Sequence, residues 1–441
     1  MQKHILIILK DITEAGGGER VGVNLANAFV QDLGQKVQIV SFFHSQEKPC
    51  YALDSTLTCT YLCNAKAKSK NPLITLLNKT LFRLIFSYRV HKLAQKSDII
   101  LANDGWFVPL FKDKTCFFKN SQNPHKPLYI RLWHLNAPKK MRKKLALFDT
   151  LVIPSSKELP LWQRYHNFVR VIPNFLPQIP SLSTTYSQKA VLSVGRMDKG
   201  DQKGFFRLLD IWRIVQESIK NPPYSVILSE TKCSEVSIQK TENRLLNAEC
   251  QNKNCVDFSP TAQNDKIKVS QNDKSLDSRN DDNLTQWRLI IVGDGVLKKE
   301  LESKIKALNL QESVILKPFT KQIEKEYLNA SIYAMSSHFE GFGMVLAEAS
   351  SYALPCIAFD VKTGPSDIIE NEKSGFLVED NDLQGYADKL MLLMRDENLR
   401  FNFGTEAKQV VSEKFGKNAV MKMWQGLFDE QNIEIKDKYG Y

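Results

Sequence analysis

The sequence predicts an α/β protein with two doubly wound, Rossmann-like domains that face each other across a cleft. Short apolar, β-branched segments alternate with helical patterns, and this alternation restarts after a Pro- and Ser-rich connector at 173–187. The length of 441 residues, with 43% hydrophobic and 25% charged residues, suits two or three globular domains. We therefore expect one domain over 1–180, a second over 188–425, and a tail over 426–441.

The positions of the predicted strands and helices support this division into two domains. A helix is expected at about 21–33, directly after the first strand, and other helical patterns separate the later strands. In open parallel sheets, ligands bind beyond the carboxyl ends of the strands, so the cleft between the domains is the expected site. The predicted strands lie at 5–9, 37–43, 98–102, 128–133, 151–154 and 169–173 in the first domain, and at 190–195, 287–293, 313–317, 331–336, 355–359 and 375–378 in the second.

Residues 221–285 interrupt the second domain. This tract is rich in Asn, Gln, Ser, Lys and Asp, and it has almost no periodic apolar residues, above all over 263–286. Such a composition buries too little apolar surface to offset the entropy of ordering. We expect a disordered insertion, although a loop of this length can also be functional.

The net charge of +11 is unevenly distributed. Residues 1–180 contain 26 Lys and Arg against 11 Asp and Glu, whereas the rest of the chain is slightly acidic. Acid-free basic stretches run over 66–96 and 131–144. The first of them predicts a basic helix in which four cations alternate with apolar residues, and such a helix can lie on anionic lipid. These cations are Lys79, Arg83, Arg89 and Lys92.

A solvated helix face and a nucleic-acid partner are the alternatives for this charge. No recognisable nucleic-acid module accompanies it, so we expect no nucleic-acid partner. No apolar run is long enough to span a bilayer, and the run at 5–9 is too short for a signal peptide. The eight cysteines have no metal-binding spacing, which favours reduced thiols in the cytoplasm. We expect a cytoplasmic protein that is peripheral on the membrane.

A glycine-rich turn follows the first predicted strand. Gly16, Gly17 and Gly18 precede Glu19 and Arg20 at the expected start of a helix. Three glycines allow close approach of a ligand, and the helix N-terminus favours an anion. The turn lacks the spacing of a dinucleotide-binding fingerprint or a P-loop, and a tight turn uses glycine in any case.

Two cations follow the first strand of the second domain. Arg196 lies at the end of that strand and Lys203 lies before the next helix. Together they are expected to converge on one anion, and a diphosphate suits them because Arg can contact two oxygens while Lys acts as a point charge. The alternative is a pair of unrelated surface charges.

Two carboxylates separated by seven residues form the third constellation. Glu340 precedes and Glu348 follows the start of a helix expected near Gly343, so both can face one ligand. Carboxylates accept hydrogen bonds from the paired hydroxyls of ribose or a hexose, and the helix N-terminus can hold phosphate. Simple helix capping by acidic residues is the alternative reading.

As an ordered set, these motifs resemble glycosyltransferase family 4, whose members are retaining enzymes of the GT-B fold. The resemblance covers nearly the whole chain outside 221–285, and is strongest over 190–215 and 287–385. The segment 363–369, Thr-Gly-Pro-Ser-Asp-Ile-Ile, is similar to the subgroup that builds bacterial capsule, lipopolysaccharide and lipid-linked oligosaccharides. Two departures are a two-residue longer interval between Arg196 and Lys203, and the insertion.

The resemblance implies specific roles in binding a nucleotide-sugar donor. Glu348 would hold the ribose, Glu340 would touch the transferred sugar, and Arg196 and Lys203 would hold the diphosphate. His134 would lie near the transferred sugar, although a lone His after a strand is often structural. The backbone amides of Gly343, Met344 and Val345 would face the phosphates and the sugar, and the three glycines of the first turn would approach the donor from the acceptor-side domain.

The expected reaction is transfer of a hexose or N-acetylhexosamine, of the galactose, GalNAc or GlcNAc type, from a UDP-sugar to a lipid-linked or lipopolysaccharide saccharide. No obligatory metal is expected, and Asp380-Asn381-Asp382 is expected to cap a helix rather than act as the metal motif it mimics. The alternatives are a GT-B sugar-nucleotide epimerase or hydrolase, and a non-catalytic binding protein.

Overall fold

The computed structural model of the protein describes residues 2–63, 81–103, 105, 107–112, 127–138, 143–221 and 284–439, with side chains up to residue 430. The predicted insertion, apart from its ends, and the start of the basic helix including Lys79 lie outside the described residues. Within them, parallel strands and helices alternate as the sequence predicts.

Seven of the described strands form a parallel sheet in the N-terminal half, in the order β3-β2-β1-β4-β5-β6-β7. The central strand β1 pairs with β2 on one side and β4 on the other, in a register that sets Ile5 against Val37 and Ile99. Apolar clusters cover both faces of this sheet. The strands are β1 His4–Leu9, β2 Lys36–Ser41, β3 Thr58–Tyr61, β4 Ile99–Ala102, β5 Leu128–Leu132, β6 Thr150–Ile153 and β7 Val169–Val171.

The C-terminal half holds a second parallel sheet, with six described strands in the order β10-β9-β8-β11-β12-β13. Successive strands are added toward one edge up to β10 and toward the other edge from β11 on, and the same change of side occurs between β1 and β4 in the first sheet. Each sheet therefore has a switch point, β8/β11 or β1/β4, where ligands commonly bind. The strands are β8 Ala190–Val194, β9 Arg288–Val292, β10 Val314–Lys317, β11 Ile332–Met335, β12 Cys356–Phe359 and β13 Gly375–Val378.

The helices pack on these sheets through apolar side chains. The 3-10 segment Lys143–Leu147 precedes β6. In chain order the helices are α1 Gly17–Gln31, α2 Arg83–Ala94, α3 Leu159–Gln163, α4 Phe205–Lys220, α5 Lys298–Ala307, α6 Ile323–Leu328, α7 Met344–Ser351, α8 Pro365–Ile368, α9 Leu383–Arg395, α10 Glu397–Phe415 and α11 Lys417–Tyr439.

The end of the chain differs from the predicted boundary at 425–426. Helix α11 runs through that position without a break and packs against the N-terminal sheet. The rings of Trp424 and Phe428 lie 5.4 and 5.3 Å from the ring of Phe29 on α1. Burying two aromatic side chains contributes about 1.5–3 kcal/mol each, which keeps this helix on the first sheet rather than leaving a tail.

Two local predictions also need correction. Helix α1 begins at Gly17 rather than near Val21, because first-turn amides need no partner inside a helix and Gly is tolerated there. The edge strand β3 was not predicted, because its Thr-Cys-Thr-Tyr sequence is short and not fully buried.

The described cysteines, Cys50, Cys59, Cys63 and Cys356, carry free thiols. No helix of the described residues has both the length and the apolar character needed to cross a bilayer.

Candidate functional site

The two predicted carboxylates lie at the start of α7, directly after β11. Helix α7 begins at Met344, and Gly343 at its N-cap has φ of +92°, a conformation that favours glycine. Glu340 lies in the preceding loop and Glu348 on the helix, with 6% and 9% of their surfaces exposed. Two buried carboxylates at a helix N-terminus need positive partners, and the structure supplies one to each.

Glu340 is bound within its own domain. Its Oε1 atom accepts hydrogen bonds from Lys203 Nζ at 2.6 Å and from Ser337 Oγ at 2.7 Å. The structure therefore brings together two of the predicted site residues, Lys203 and Glu340. The pair is mostly buried, which strengthens its electrostatic interaction relative to a pair in water.

Glu348 is bound by a residue of the N-terminal domain. Arg20 Nη1, on the first turn of α1, lies 2.7 Å from Glu348 Oε1, and Tyr327 Oη donates to Glu348 Oε2 at 3.2 Å. Burial and the charge of Glu348 raise the pKa of Tyr327 well above its usual value, so Tyr327 remains a donor. Neither residue is among the predicted site residues. The place of Arg20 in the glycine-rich motif could have indicated a role in the site. No motif in the sequence indicates such a role for Tyr327.

Arg196 and Lys203 have different partners within the protein itself, and their predicted convergence on one anion stays a prediction. Arg196 is 72% exposed and its Nη2 lies 3.1 Å from Asp198 Oδ2, whereas Lys203 binds Glu340. The turn between them includes Gly200 and Asp201, both with positive φ. Asp201 also accepts hydrogen bonds from the first two amides of α4, which fixes the turn as a helix cap.

The glycine-rich turn faces open space. A Cβ atom at Gly17 would meet no atom within 4 Å, and one at Gly18 would meet only Asn103 Nδ2, at 3.9 Å. The side chain of Glu19 folds back against Gly16, and burial raises the pKa of Glu19. The predicted approach of a ligand is therefore sterically allowed at Gly17 and Gly18, whereas the Glu19 carboxylate covers Gly16.

His134, directly after β5, is held by an asparagine that the sequence analysis did not identify. Asn103 Nδ2 donates to Gly18 O at 2.6 Å, so its Oδ1 atom accepts from His134 Nε2, also at 2.6 Å. This arrangement assigns the proton of a neutral imidazole to Nε2 and leaves Nδ1 as an acceptor. Burial lowers the pKa of His134 to about 4, and the Arg131 charge acts in the same direction.

The two sheets meet at this point through several contacts. A Cβ atom at Gly341 would lie 1.7 Å from the backbone oxygen of His134, so only glycine fits there. Thr363 Oγ1 donates to Asn136 Oδ1 at 2.6 Å. Lys157, in the loop after β6, also pairs with Asp360, directly after β12, at 2.6 Å. His134 and the Glu340 loop therefore lie on opposite walls of one closed cleft.

The acidic motif after β13 serves the fold. Asp382 caps α9 by accepting from Gly385 N at 2.9 Å, as expected. Asp380 and Asn381 accept from the guanidinium of Arg207, which is buried beneath the Glu340 loop and donates to Ser336 O. All three side chains of the motif thus have structural partners.

The described part of the basic helix carries a mixed exposed surface. Phe86, Val90 and Ala94 pack on the sheet. A group that we call the α2 surface is exposed on the other side, and it combines apolar with basic side chains. It consists of Leu81, Phe82, Leu84, Ile85, Lys92 and Lys96.

Comparison with known proteins identifies one matching family model and several related proteins. Residues 273–410 match the family model "Glycosyl transferases group 1". AmsD, an amylovoran biosynthesis glycosyltransferase of Erwinia amylovora, is 41% identical over 143 residues, which are 32% of this chain and 40% of AmsD. An uncharacterized glycosyltransferase of Haemophilus influenzae is 24% identical over 432 residues, 96% of this chain and 99% of that protein.

A third relative is the N-acetylgalactosamine-N,N'-diacetylbacillosaminyl-diphospho-undecaprenol 4-alpha-N-acetylgalactosaminyltransferase of Campylobacter jejuni. It is 34% identical over 124 residues, 28% of this chain and 34% of that protein. Alignments with AmsD and with this enzyme thus cover well under half of either relative.

A solved structure of Staphylococcus aureus TarM, a variant in complex with fondaparinux, α-GlcNAc-glycerol and UDP, has the same fold. Its TM-score is 0.62 at 16% identity, over 97% of this chain and all of that one. The predicted pair of Rossmann-like domains is confirmed. The chain therefore carries a group 1 glycosyltransferase domain at residues 273–410 within the fold of the GT-B glycosyltransferases.

Proposed function

We propose that the protein transfers a hexose or N-acetylhexosamine, of the galactose, GalNAc or GlcNAc type, from a UDP-sugar to a lipid-linked or lipopolysaccharide saccharide, with retention of configuration. The observation that carries this proposal is the pair of buried carboxylates at the start of α7, Glu340 and Glu348, which faces Arg20 and His134 of the other sheet. The bacterial polysaccharide relatives and the UDP complex of TarM support it.

In this proposal the nucleotide part of the donor binds the C-terminal domain. Glu348 accepts hydrogen bonds from the ribose hydroxyls through its two oxygens. The amides of Gly343, Met344 and Val345 point out of the N-terminus of α7 toward the phosphates, where the helix dipole favours negative charge. Lys203, which already reaches the Glu340 carboxylate, and the exposed Arg196 supply the cations.

The transferred sugar lies between Glu340 and His134. Both residues can bind hydroxyls, Glu340 as an anionic acceptor and His134 through the unprotonated Nδ1 of a neutral ring. The glycines of the first turn leave room for the donor on the acceptor side. The ribose, the diphosphate and the transferred sugar thus each have proposed partners within this one cleft.

The chemistry follows from charge development. As the bond from the anomeric carbon to the diphosphate breaks, the sugar becomes cationic and the diphosphate gains negative charge. Preorganised cations and helix amides stabilise this transition state more than the ground state. The acceptor hydroxyl attacks on the face of the leaving group, and the diphosphate takes its proton, so no separate base and no metal is required.

The α2 surface is proposed to contact the cytoplasmic face of the membrane, where a lipid-linked acceptor is anchored. Apolar side chains can enter the interface while Lys92 and Lys96 contact anionic headgroups, each worth about 1 kcal/mol. Flotation with vesicles of mixed phosphatidylcholine and phosphatidylglycerol tests this. We expect K92E/K96E to lose binding and K299E/K306E, a matched charge reversal on α5, to retain it; equal binding by both would refute the contact.

A donor screen tests the reaction. Purified protein is incubated with individual UDP-sugars and lipid-linked saccharides in EDTA, with E340Q as the inactive control, and products are identified by mass spectrometry. We expect one UDP-sugar to lengthen the acceptor and the α-anomeric linkage of the donor to persist. An absolute requirement for a divalent metal would contradict the mechanism. Conversion of UDP-sugar without acceptor would instead indicate an epimerase or hydrolase, and UDP binding without turnover a binding protein.

A further inference from the structure

Arg20 provides the only described contact of a cation with Glu348, and it comes from the opposite sheet. We propose that Arg20 is a donor-recognition residue: it pairs with Glu348 before the donor binds, and its guanidinium moves to the diphosphate when the ribose takes its place. This inference rests on the proposed function and extends it to a residue that the predicted site did not contain.

The contact between Arg20 and Glu348 is suited to replacement. Glu348 Oε1 is buried and has no hydrogen bond, although Arg20 Nη1 lies 2.7 Å away as an ion pair. The charge of this oxygen is therefore balanced by Arg20, but no donor is aligned with it. A ribose hydroxyl can supply such a donor, whereas the Tyr327 hydroxyl on Oε2 can remain in place.

The position of Arg20 determines where the displaced guanidinium goes. Arg20 belongs to the first turn of α1, and its own amide donates to Gly16 O at 3.0 Å, so its backbone is fixed beside the glycine-rich turn. Its side chain is 41% exposed and can move without disturbing the core. A guanidinium that leaves Glu348 therefore stays within a side chain's length of that turn, on the donor side of the cleft.

Charge balance favours the diphosphate as the new partner of the Arg20 guanidinium. A bound UDP-sugar adds one negative charge on each phosphate to those of Glu340 and Glu348. Lys203 and Arg196 are the cations of the predicted site, and Lys203 already compensates Glu340. Arg20 supplies a third positive charge, and the planar guanidinium can bind two phosphate oxygens at once.

Calorimetric titrations of the full-length protein with UDP and with uridine test this proposal. Uridine has the ribose but no phosphate. We expect R20Q to weaken UDP binding about tenfold or more, while uridine binds as well as to the wild-type protein or more tightly, because Glu348 is no longer occupied. R20K should recover part of the UDP affinity, since it retains the charge without the second donor. The control K157Q, which removes another ion pair between the two sheets, should leave both affinities unchanged.

Other results of these titrations would contradict the proposed role of Arg20 or the proposed donor. If R20Q binds UDP as tightly as the wild-type protein, or loses UDP and uridine affinity equally, Arg20 does not recognise the diphosphate. Tighter binding of both ligands by R20Q would make Arg20 a competitor for the site and would also overturn the proposal. If the wild-type protein binds no UDP, the proposed donor itself is wrong and the role of Arg20 falls with it.

Discussion

Lys203 Nζ lies 2.6 Å from Glu340 Oε1, and the two side chains are 19% and 8% exposed. The partners come from different loops, one before α4 and the other before α7, which lie 137 residues apart in the chain. The pair joins the predicted diphosphate cation to the predicted sugar-binding carboxylate. Binding and stability are therefore linked at this site, because either partner left alone would be a buried, uncompensated charge.

Removing Lys203 should destabilise the protein through Glu340. We expect K203M to lower the free energy of unfolding by about 3–5 kcal/mol, because Glu340 stays buried without its cation. The double variant K203M/E340Q should recover much of this loss. Urea unfolding measures the effect, and K304M, which breaks the more exposed pair with Asp210, should cost only about 1 kcal/mol or less. Equal losses for K203M and K304M would contradict the argument.

Glu348 should control nucleotide affinity. We expect E348Q to weaken UDP binding by roughly tenfold to a hundredfold, since hydrogen bonds to a charged group are worth about 1.5–3 kcal/mol. Y327F should weaken it less, because Tyr327 only orients one carboxylate oxygen. Isothermal titration calorimetry provides the measurement. A larger effect of Y327F than of E348Q would show that the hydroxyl, not the carboxylate, meets the nucleotide.

His134 should remain neutral throughout the physiological pH range. Its pKa of about 4 in the folded protein lies below the usual value of 6.5, so the unfolded chain binds more protons between these values. The contribution of His134 therefore makes stability rise with pH from about 4 to 6.5 and leaves it constant above. NMR titration of the imidazole signal that disappears in H134Q should show no midpoint between about pH 5.5 and 8. A midpoint near pH 6.5 would contradict this prediction, because the ring would then be partly protonated near neutral pH and Nδ1 could not act as a constant acceptor.

Gly17 should be required for the ligand and not for the fold. It has helical φ and open space around its Cα, so G17A should raise stability by about 0.4–1 kcal/mol while reducing donor affinity. Gly34, also with open space but with φ of +60°, is the matched control. G34A should lower stability by about 1–2 kcal/mol and leave donor binding unchanged. Thermal unfolding measures the stability of both variants, and titration with a UDP-sugar measures their donor affinity. Unaltered donor affinity in G17A would show that the donor does not approach the glycine-rich turn closely.

Asp382 should act as a helix cap only. D382A is expected to lower stability by about 1 kcal/mol, the usual value of an N-cap, without changing transfer in EDTA. Asp396 caps α10 through Leu399 N at 2.9 Å, so D396A is a control of the same kind outside the motif. Unfolding midpoints and initial rates of both variants are compared. Loss of transfer in D382A alone, restored by divalent metal, would revive the metal-motif reading.

The sequence pattern predicted the order of strands and helices well because each of those signals is local. Alternating apolar segments predict βα units, and Gly343 predicts where α7 begins. The edge strand β3 escaped prediction because its pairing with β2, rather than its own apolar content, makes it a strand. The course of α11 also depends on a distant partner, since Trp424 packs on Phe29 of the first domain.

The sequence by itself determined the two Rossmann-like domains, the cleft expected at their carboxyl ends, and the residue types that we expect to bind a charged sugar nucleotide. Only the tertiary structure decided which of those residues meet: Glu348 with Arg20, Glu340 with Lys203, and His134 with Asn103. The physical reason is that electrostatic and hydrogen-bond pairing depends on side-chain atoms that lie about 3 Å apart, within a domain or between the two. Periodicity along the chain carries no information about such distances between residues of different elements.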